Sequence, residues 1–372
     1  MEYMKVAIFL TYGYSFETWH ESGVLARELK IYKKIRDEHN IDFTFITYGN
    51  DSDFKFNTDI NSFEVIPIYS LIKYSNSKIL NYFKSFLVPF KLQGRLSGVD
   101  ILHQHQLLGS WIPMLLKILL KKPLLIRTGY DMSKFANEER KGIIVRALYK
   151  ILTILSLKVC DLYTVTSSSD KKLLKKNKKI KIRPNWVELQ EINPLDVRYK
   201  NRILCVGRLV NQKNYEFIIK EFKNTNDYIS IDIYGTGPDK KDLVNLAKSL
   251  NVNLNFFGKI DHSELIKIYN KYIYFVTSSM FEGNPKTVLE AMSMGCVVLA
   301  SEIPNHNEII LNNESGFIYK FKNNSLISLY EKINEDNEKL QSVSDFAFQQ
   351  VRKNNSIQKL TLNMYEDYLN LS

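Results

Sequence analysis

Residues 278–300, SSMFEGNPKTVLEAMSMGCVVLA, limit most sharply what this chain can fold into. The stretch reads as a loop, a short helix and a buried strand, following an earlier strand at 272–277. Asn284 is a favoured N-cap residue, and Pro285 suits the first helical position, where its missing N–H is no loss. Val288, Leu289, Ala291 and Met292 give the helix an apolar face, and Gly295 supplies a left-handed stop. CVVLA is then an apolar run of the kind found in parallel sheets covered on both sides. Such a helix starts at the carboxyl edge of the preceding strand, where ligands bind in doubly wound α/β folds. The N–H groups of Lys286, Thr287 and Val288 would point at that edge and offer an anion site. Glu282 and Glu290 flank it with seven residues between them. A diphosphate on the helix N-terminus, with a carboxylate on each side for hydroxyls, is what a nucleotide-sugar site requires.

The rest of the chain alternates in the same way, which is the βαβ signature of parallel sheets. In the first half, strands are expected at 5–10, 43–48, 63–68, 101–103, 123–128 and 162–166. Helices are expected at 20–39, 79–97, 107–120 and 142–156. After a polar linker at 188–200, strands at 202–206, 230–234 and 253–257 lead into loops carrying Gly207, Gly235, Gly237 and Gly258. Residues 323–372 read as helices.

Several of these segments together resemble the retaining glycosyltransferases of family 4. The Glu282-x7-Glu290 pair in EGNPKTVLEAMSMGCVVLAS resembles that family's donor site. Gly207, Arg208 and Lys213 in GRLVNQKNYEFIIKEF match its strand–Gly–basic loop–helix. GTGPDKKDL matches its second glycine turn, and FFGKIDHSEL, with Gly258, the loop whose backbone reads the nucleobase. Pro184-Asn185-Trp186 is similar to the family's interdomain junction. The resemblance implies a GT-B fold, two Rossmann-like parallel-sheet α/β domains facing across a deep cleft. An acceptor-binding domain would span 1–186, a donor-binding domain 187–357, and a helix at 358–372 would cross back to the first. It further implies that Glu282 holds the transferred sugar and Glu290 the ribose. Arg208 and Lys213 would stabilise the departing diphosphate, with Gly207, Gly258, Gly283, Asn284, Pro285, Lys286 and Thr287 completing the donor site. No metal and no separate cofactor are implied.

The sequence departs from the family in three places. The loop 11–21 has Gly13 where a glycine pair is usual, and is rich in aromatics (Tyr12, Tyr14, Phe16, Trp19) that suit sugar stacking, contact with a lipid interface, or packing on their own domain. RTGYD, 127–131, lacks the usual sugar-contacting histidine, so Tyr130 and Asp131 are its candidate substitutes. Asn305-His306-Asn307 stands where glycines are usual. His103 and His105 point to one side of a strand end, read as packing beside the site or as a sugar contact at His103; a third metal ligand at suitable spacing is not evident.

Charge adds a partner. Residues 1–200 hold 32 Lys/Arg against 20 Asp/Glu, and the remainder 19 against 20. A one-sided basic field suits an anionic membrane more than nucleic acid here, because two stretches, 112–125 and 171–183, combine lysines with apolar residues. Simple solvation is the bland alternative. No apolar run is long enough to cross a bilayer. Cys160, Cys205 and Cys296 lie in apolar runs and read as core thiols of a cytoplasmic protein. The expected activity is transfer of a hexose-type sugar from a UDP-sugar, or next a GDP-sugar, to a saccharide acceptor. That acceptor is expected to be lipid-linked and to serve surface-polysaccharide assembly at the inner face of the membrane. The rivals are a nucleotide-sugar epimerase of the same architecture and a non-catalytic nucleotide-sugar-binding protein.

Overall fold

The computed structural model describes residues 3–57, 63–174, 179–223, 225 and 229–372. The chain divides into two compact units, Met1–Arg183 with Leu360–Ser372, and Pro184–Lys359. Each is built on an all-parallel sheet.

The first sheet contains β1 (Met4–Phe9), β2 (Ile41–Thr47), β3 (Glu64–Pro67), β4 (Ile101–Gln104), β5 (Leu124–Thr128), β6 (Leu162–Val165) and β7 (Ile180–Ile182), in the order β3-β2-β1-β4-β5-β6-β7. The second contains β8 (Tyr199–Val206), β9 (Ser230–Tyr234), β10 (Asn253–Gly258), β11 (Tyr272–Thr277), β12 (Val297–Ser301) and β13 (Phe317–Tyr319), in the order β10-β9-β8-β11-β12-β13. Strands such as β4, β11 and β12 are buried along their whole length, as helices on both faces demand. In each sheet the direction of winding reverses beside the first strand, between β1 and β4 and between β8 and β11. These are the switch points where α/β sheets leave a crevice at the strand ends.

Local chemistry moves several expected boundaries. The helix expected at 20–39 is two, Phe16–Glu21 and Leu25–His39, separated at Gly23, whose φ is +72°. The one expected at 79–97 is also two, Lys78–Ser85 and Val88–Leu92. β7 lies inside the 171–183 stretch read as a basic surface segment; residues 175–178 of that stretch lie outside the described residues. The 112–125 stretch turns one side to the core: in the helix Trp111–Leu120, residues Trp111, Ile112, Pro113, Met114 and Leu116 are buried, while Ile118 is exposed. The 188–200 segment is no loose linker either. Arg198 is 4% exposed, and its guanidinium donates to the carbonyls of Asn193 (2.9 Å), Tyr272 (3.3 Å) and Met294 (2.9 Å).

The helix Ile357–Leu369 starts in the second unit and ends in the first. There Asp367, 1% exposed, accepts from Arg183 Nε and Nη2 at 2.7 Å each and from Lys181 Nζ at 2.8 Å. The adjacent Tyr368 hydroxyl lies 2.7 Å from His103 Nδ1.

Candidate active site

The site candidates of the second unit gather at the switch point between β8 and β11. After β8 the backbone turns at Gly207, whose N–H donates to Tyr234 O at 3.0 Å. Its φ is +154°, and an added Cβ would stand 3.0 Å from Tyr215 Oη and 3.2 Å from Lys213 Cε. The glycines of the neighbouring turn are required by proximity: a Cβ on Gly235 would lie 1.9 Å from Gly207 O, and one on Gly237 2.2 Å from Leu209 O. Two turns of backbone therefore press directly on each other.

After β11 the 278–285 loop is laced to the 207–214 loop. Ser278 Oγ bonds the carbonyls of Lys213 (2.8 Å) and Asn214 (2.6 Å), Met280 N–H donates to Gln212 O (2.9 Å), and Gln212 Nε2 donates to Phe281 O (2.8 Å). This lacing brings Lys213 Nζ onto Glu282 Oε1, 69 residues away in sequence. Ser279 Oγ donates to the same oxygen at 2.7 Å. The side chains are 14% and 11% exposed. Burial alone would raise the Glu282 carboxyl, but the Lys213 ammonium and the Ser279 hydroxyl outweigh it and hold the group below the usual carboxylate range. Arg208 is exposed, and no described side chain bonds or pairs with its guanidinium.

The helix behind the loop, Lys286–Ser293, begins one residue later than expected. Pro285 occupies the N-cap position, no side chain caps the helix, and Asn284 is occupied elsewhere. Its Oδ1 accepts from Asn185 N–H at 2.8 Å, and its carbonyl from Asn185 Nδ2 at 2.6 Å. Amides at this terminus lack intrahelical partners by construction and carry the positive end of the helix dipole. Glu290 faces inward from the same helix, 4% exposed. His262 Nε2 lies 2.9 Å from its Oε1, and Tyr269 Oη donates to Oε2 at 3.3 Å. Gly258, at the end of β10 with φ +74°, has open space where a Cβ would stand.

Three participants escaped the sequence reading. His262 opens the helix His262–Tyr269, and a histidine at the head of the helix after β10 is the available signal. His306 fills the place of a usual glycine and is fully buried; its Nδ1 donates to Ser301 O at 2.8 Å, and its Nε2 has no partner among the described residues. The Tyr215 hydroxyl, beside Gly207, is likewise buried without a partner among the described residues.

The first-unit candidates have structural partners of their own. His103 is 1% exposed and bonded to Tyr368 as described. Asp131 caps the helix Met132–Glu138, accepting from Lys134 N–H at 2.6 Å. The Tyr130 ring packs on Phe135 at 4.2 Å. In the aromatic loop Phe16 and Trp19 are core residues, while Tyr14 is exposed.

Comparison with known proteins sets this geometry in context. Residues 191–350 match the family model described as glycosyl transferases group 1. The structure aligns over 99% of its length with all of Anabaena HepE in complex with UDP, at 13% sequence identity and a TM-score of 0.78. The fold is GT-B. The capsular polysaccharide biosynthesis glycosyltransferase CapH of Staphylococcus aureus is 27% identical over 241 residues, 61% of this chain and 66% of CapH. An Escherichia coli UDP-Gal:alpha-D-GlcNAc-diphosphoundecaprenol alpha-1,3-galactosyltransferase is 25% identical over 285 residues, 70% of this chain and 73% of the relative. For the first three curated relatives of this GT-B chain, the match spans between 26% and 66% of the relative's own length.

Proposed function

We propose that the chain is a retaining, family 4 glycosyltransferase that moves a hexose-type sugar from a nucleoside-diphosphate sugar to a lipid-linked saccharide. The reading rests chiefly on one observation: the Lys213–Glu282 pair lies at the switch point, beside the uncapped N-terminus of the 286–293 helix. A cation and the positive end of a helix suit the diphosphate, and a buried carboxylate suits sugar hydroxyls. UDP is favoured over GDP as the carrier, in line with the UDP complex of the structural relative. The diphosphoundecaprenol in the galactosyltransferase's name supports a lipid-linked acceptor, and the name of CapH supports surface-polysaccharide assembly; the inner face of the membrane is the proposed place of action.

In this reading the bond between the sugar C1 and the β-phosphate oxygen breaks as the acceptor oxygen bonds to C1 on the same face. The acceptor's proton passes to the departing phosphate. Negative charge grows on that phosphate, and preorganised positive charge from Arg208, Lys213 and the 286–288 amides stabilises it. Glu282 orients sugar hydroxyls. Glu290, held by His262 and Tyr269, meets the ribose hydroxyls.

Thermal shift with UDP, GDP, ADP and CMP tests the donor site. A ligand at a hundredfold excess over Kd stabilises by about 2.7 kcal/mol. The expected outcome is a shift with one diphosphate, lost in Arg208→Ala and weakened in Glu290→Ala. Glu282→Ala should keep nucleotide binding and lose sugar transfer. Unchanged nucleotide affinity in Glu290→Ala refutes the ribose assignment.

A further inference from the structure

Two helices of the first unit are built inside out. In Ile143–Val159 the buried residues are Thr153 and Ser156. Ile144, Leu148, Ile151 and Leu155 recur at i, i+4, i+7 and i+11, one stripe of a helix, and all face solvent, Ile144 at 76% exposure. The Lys78–Ser85 helix repeats the arrangement, burying Asn81 and Ser85 while Ile79 and Phe83 are exposed, and Leu87 and Phe90 continue the stripe. The inward polar groups are satisfied. Trp111 Nε1 donates to Ser85 Oγ at 2.9 Å, Ser156 Oγ lies 3.2 Å from Ser110 Oγ, and Thr153 Oγ1 donates to Tyr149 O at 2.9 Å. Both helices thus meet the start of the Trp111–Leu120 helix, whose Trp111, Ile112, Met114 and Leu116 belong to the core cluster of the first sheet.

Exposed apolar stripes of this length mark an interaction surface. Its charges say what it meets. Residues 78–99 and 140–160 contain no acidic residue. Lys78, Lys91, Arg95, Lys150 and Lys158 form no ion pair with any described residue. A second copy of the chain would set these cations against like charge, whereas an anionic bilayer complements both the cations and the apolar stripes.

We propose that this face, formed by the 78–92 and 143–159 helices, docks the first unit onto an anionic membrane surface. The inference deepens the lipid-linked-acceptor reading, and rests on it for the bilayer as partner. It moves the contact away from residues 112–125, where Ile112, Met114, Leu116, Leu124 and Leu125 are core.

The test is co-sedimentation of the full chain with vesicles of phosphatidylcholine alone or with about a third phosphatidylglycerol, an anionic surface that attracts basic segments. Wild type should pellet with the anionic vesicles only, and less at high salt. The exposed double variant Ile144→Asp/Leu148→Asp should lose roughly tenfold in binding, since insertion scales with buried apolar area. Lys150→Glu/Lys158→Glu should bind more weakly and lose salt dependence. A wild type that stays in the supernatant, or pellets equally with both vesicles, overturns the proposal. So does a wild-type dimer that the Asp variant splits without vesicle binding by either form. UDP-induced thermal shift on the same preparations separates this outcome from failure of the donor site.

Discussion

At position 306 a histidine is kept neutral inside the donor-side core. Burial pushes its pKa down to about 4, partly offset by its bond to Ser301 O and the nearby Glu282. With Nδ1 donating to that carbonyl, the lone pair is on Nε2. In the unfolded chain an ordinary histidine takes up a proton near pH 6.5, and the folded chain refuses it. The folded pKa is the lower one, so stability is unaffected above about pH 6.5 and falls between there and about pH 4, by roughly 1.4 kcal/mol per pH unit. Glu282 acts lower, contributing stability above the carboxylate range and losing it as pH falls through its own depressed pKa. Urea unfolding between pH 7.5 and 4.5 should therefore show a steep decline in wild type and a shallow one in His306→Asn. Equal slopes would mean that His306 titrates normally in the folded protein.

Among the elements, the last helix is held by its acid. Asp367→Ala removes three charge-assisted hydrogen bonds to Arg183 and Lys181. Because the two cations retain access to water, the loss should be about 2–3 kcal/mol, read as a drop in the urea midpoint. How far the elements could be read from sequence follows from how local their causes are. The 278–300 segment was legible because its strand, glycine stop (Gly295, φ +68°) and helical apolar spacing are all written in neighbouring residues. The N-cap at Asn284 was misplaced because that side chain is engaged by Asn185, 99 residues earlier. The Lys213–Glu282 and His262–Glu290 pairs were hidden for the same reason, their types visible and their meeting not. In the 143–159 helix the apolar period was plain, but a period does not say which stripe faces the core. Small inward hydroxyls opposite Ser110 and Met114 decided that.

Taken as a whole, the molecule separates its chemistry. Positive charge and outward apolar stripes belong to the first unit, while the laced loops, Glu282 and Glu290 belong to the second. Hydrogen exchange should show it: saturating UDP is expected to slow exchange around 203–217 and 278–293 and to leave β2 and β3 unchanged. Protection spread evenly over both sheets would contradict a donor site confined to the second unit. The path of the chain carries a further consequence, for biosynthesis. His103 and Arg183 are translated long before Tyr368 and Asp367, and the whole second unit is made between them. A ribosome delivering this chain thus releases a first unit whose core stays open until residues 360–372 emerge. Truncation after Lys359 would spare every donor-site residue named above, yet leave that earlier-made core without Asp367 and Tyr368 and more open to proteolysis.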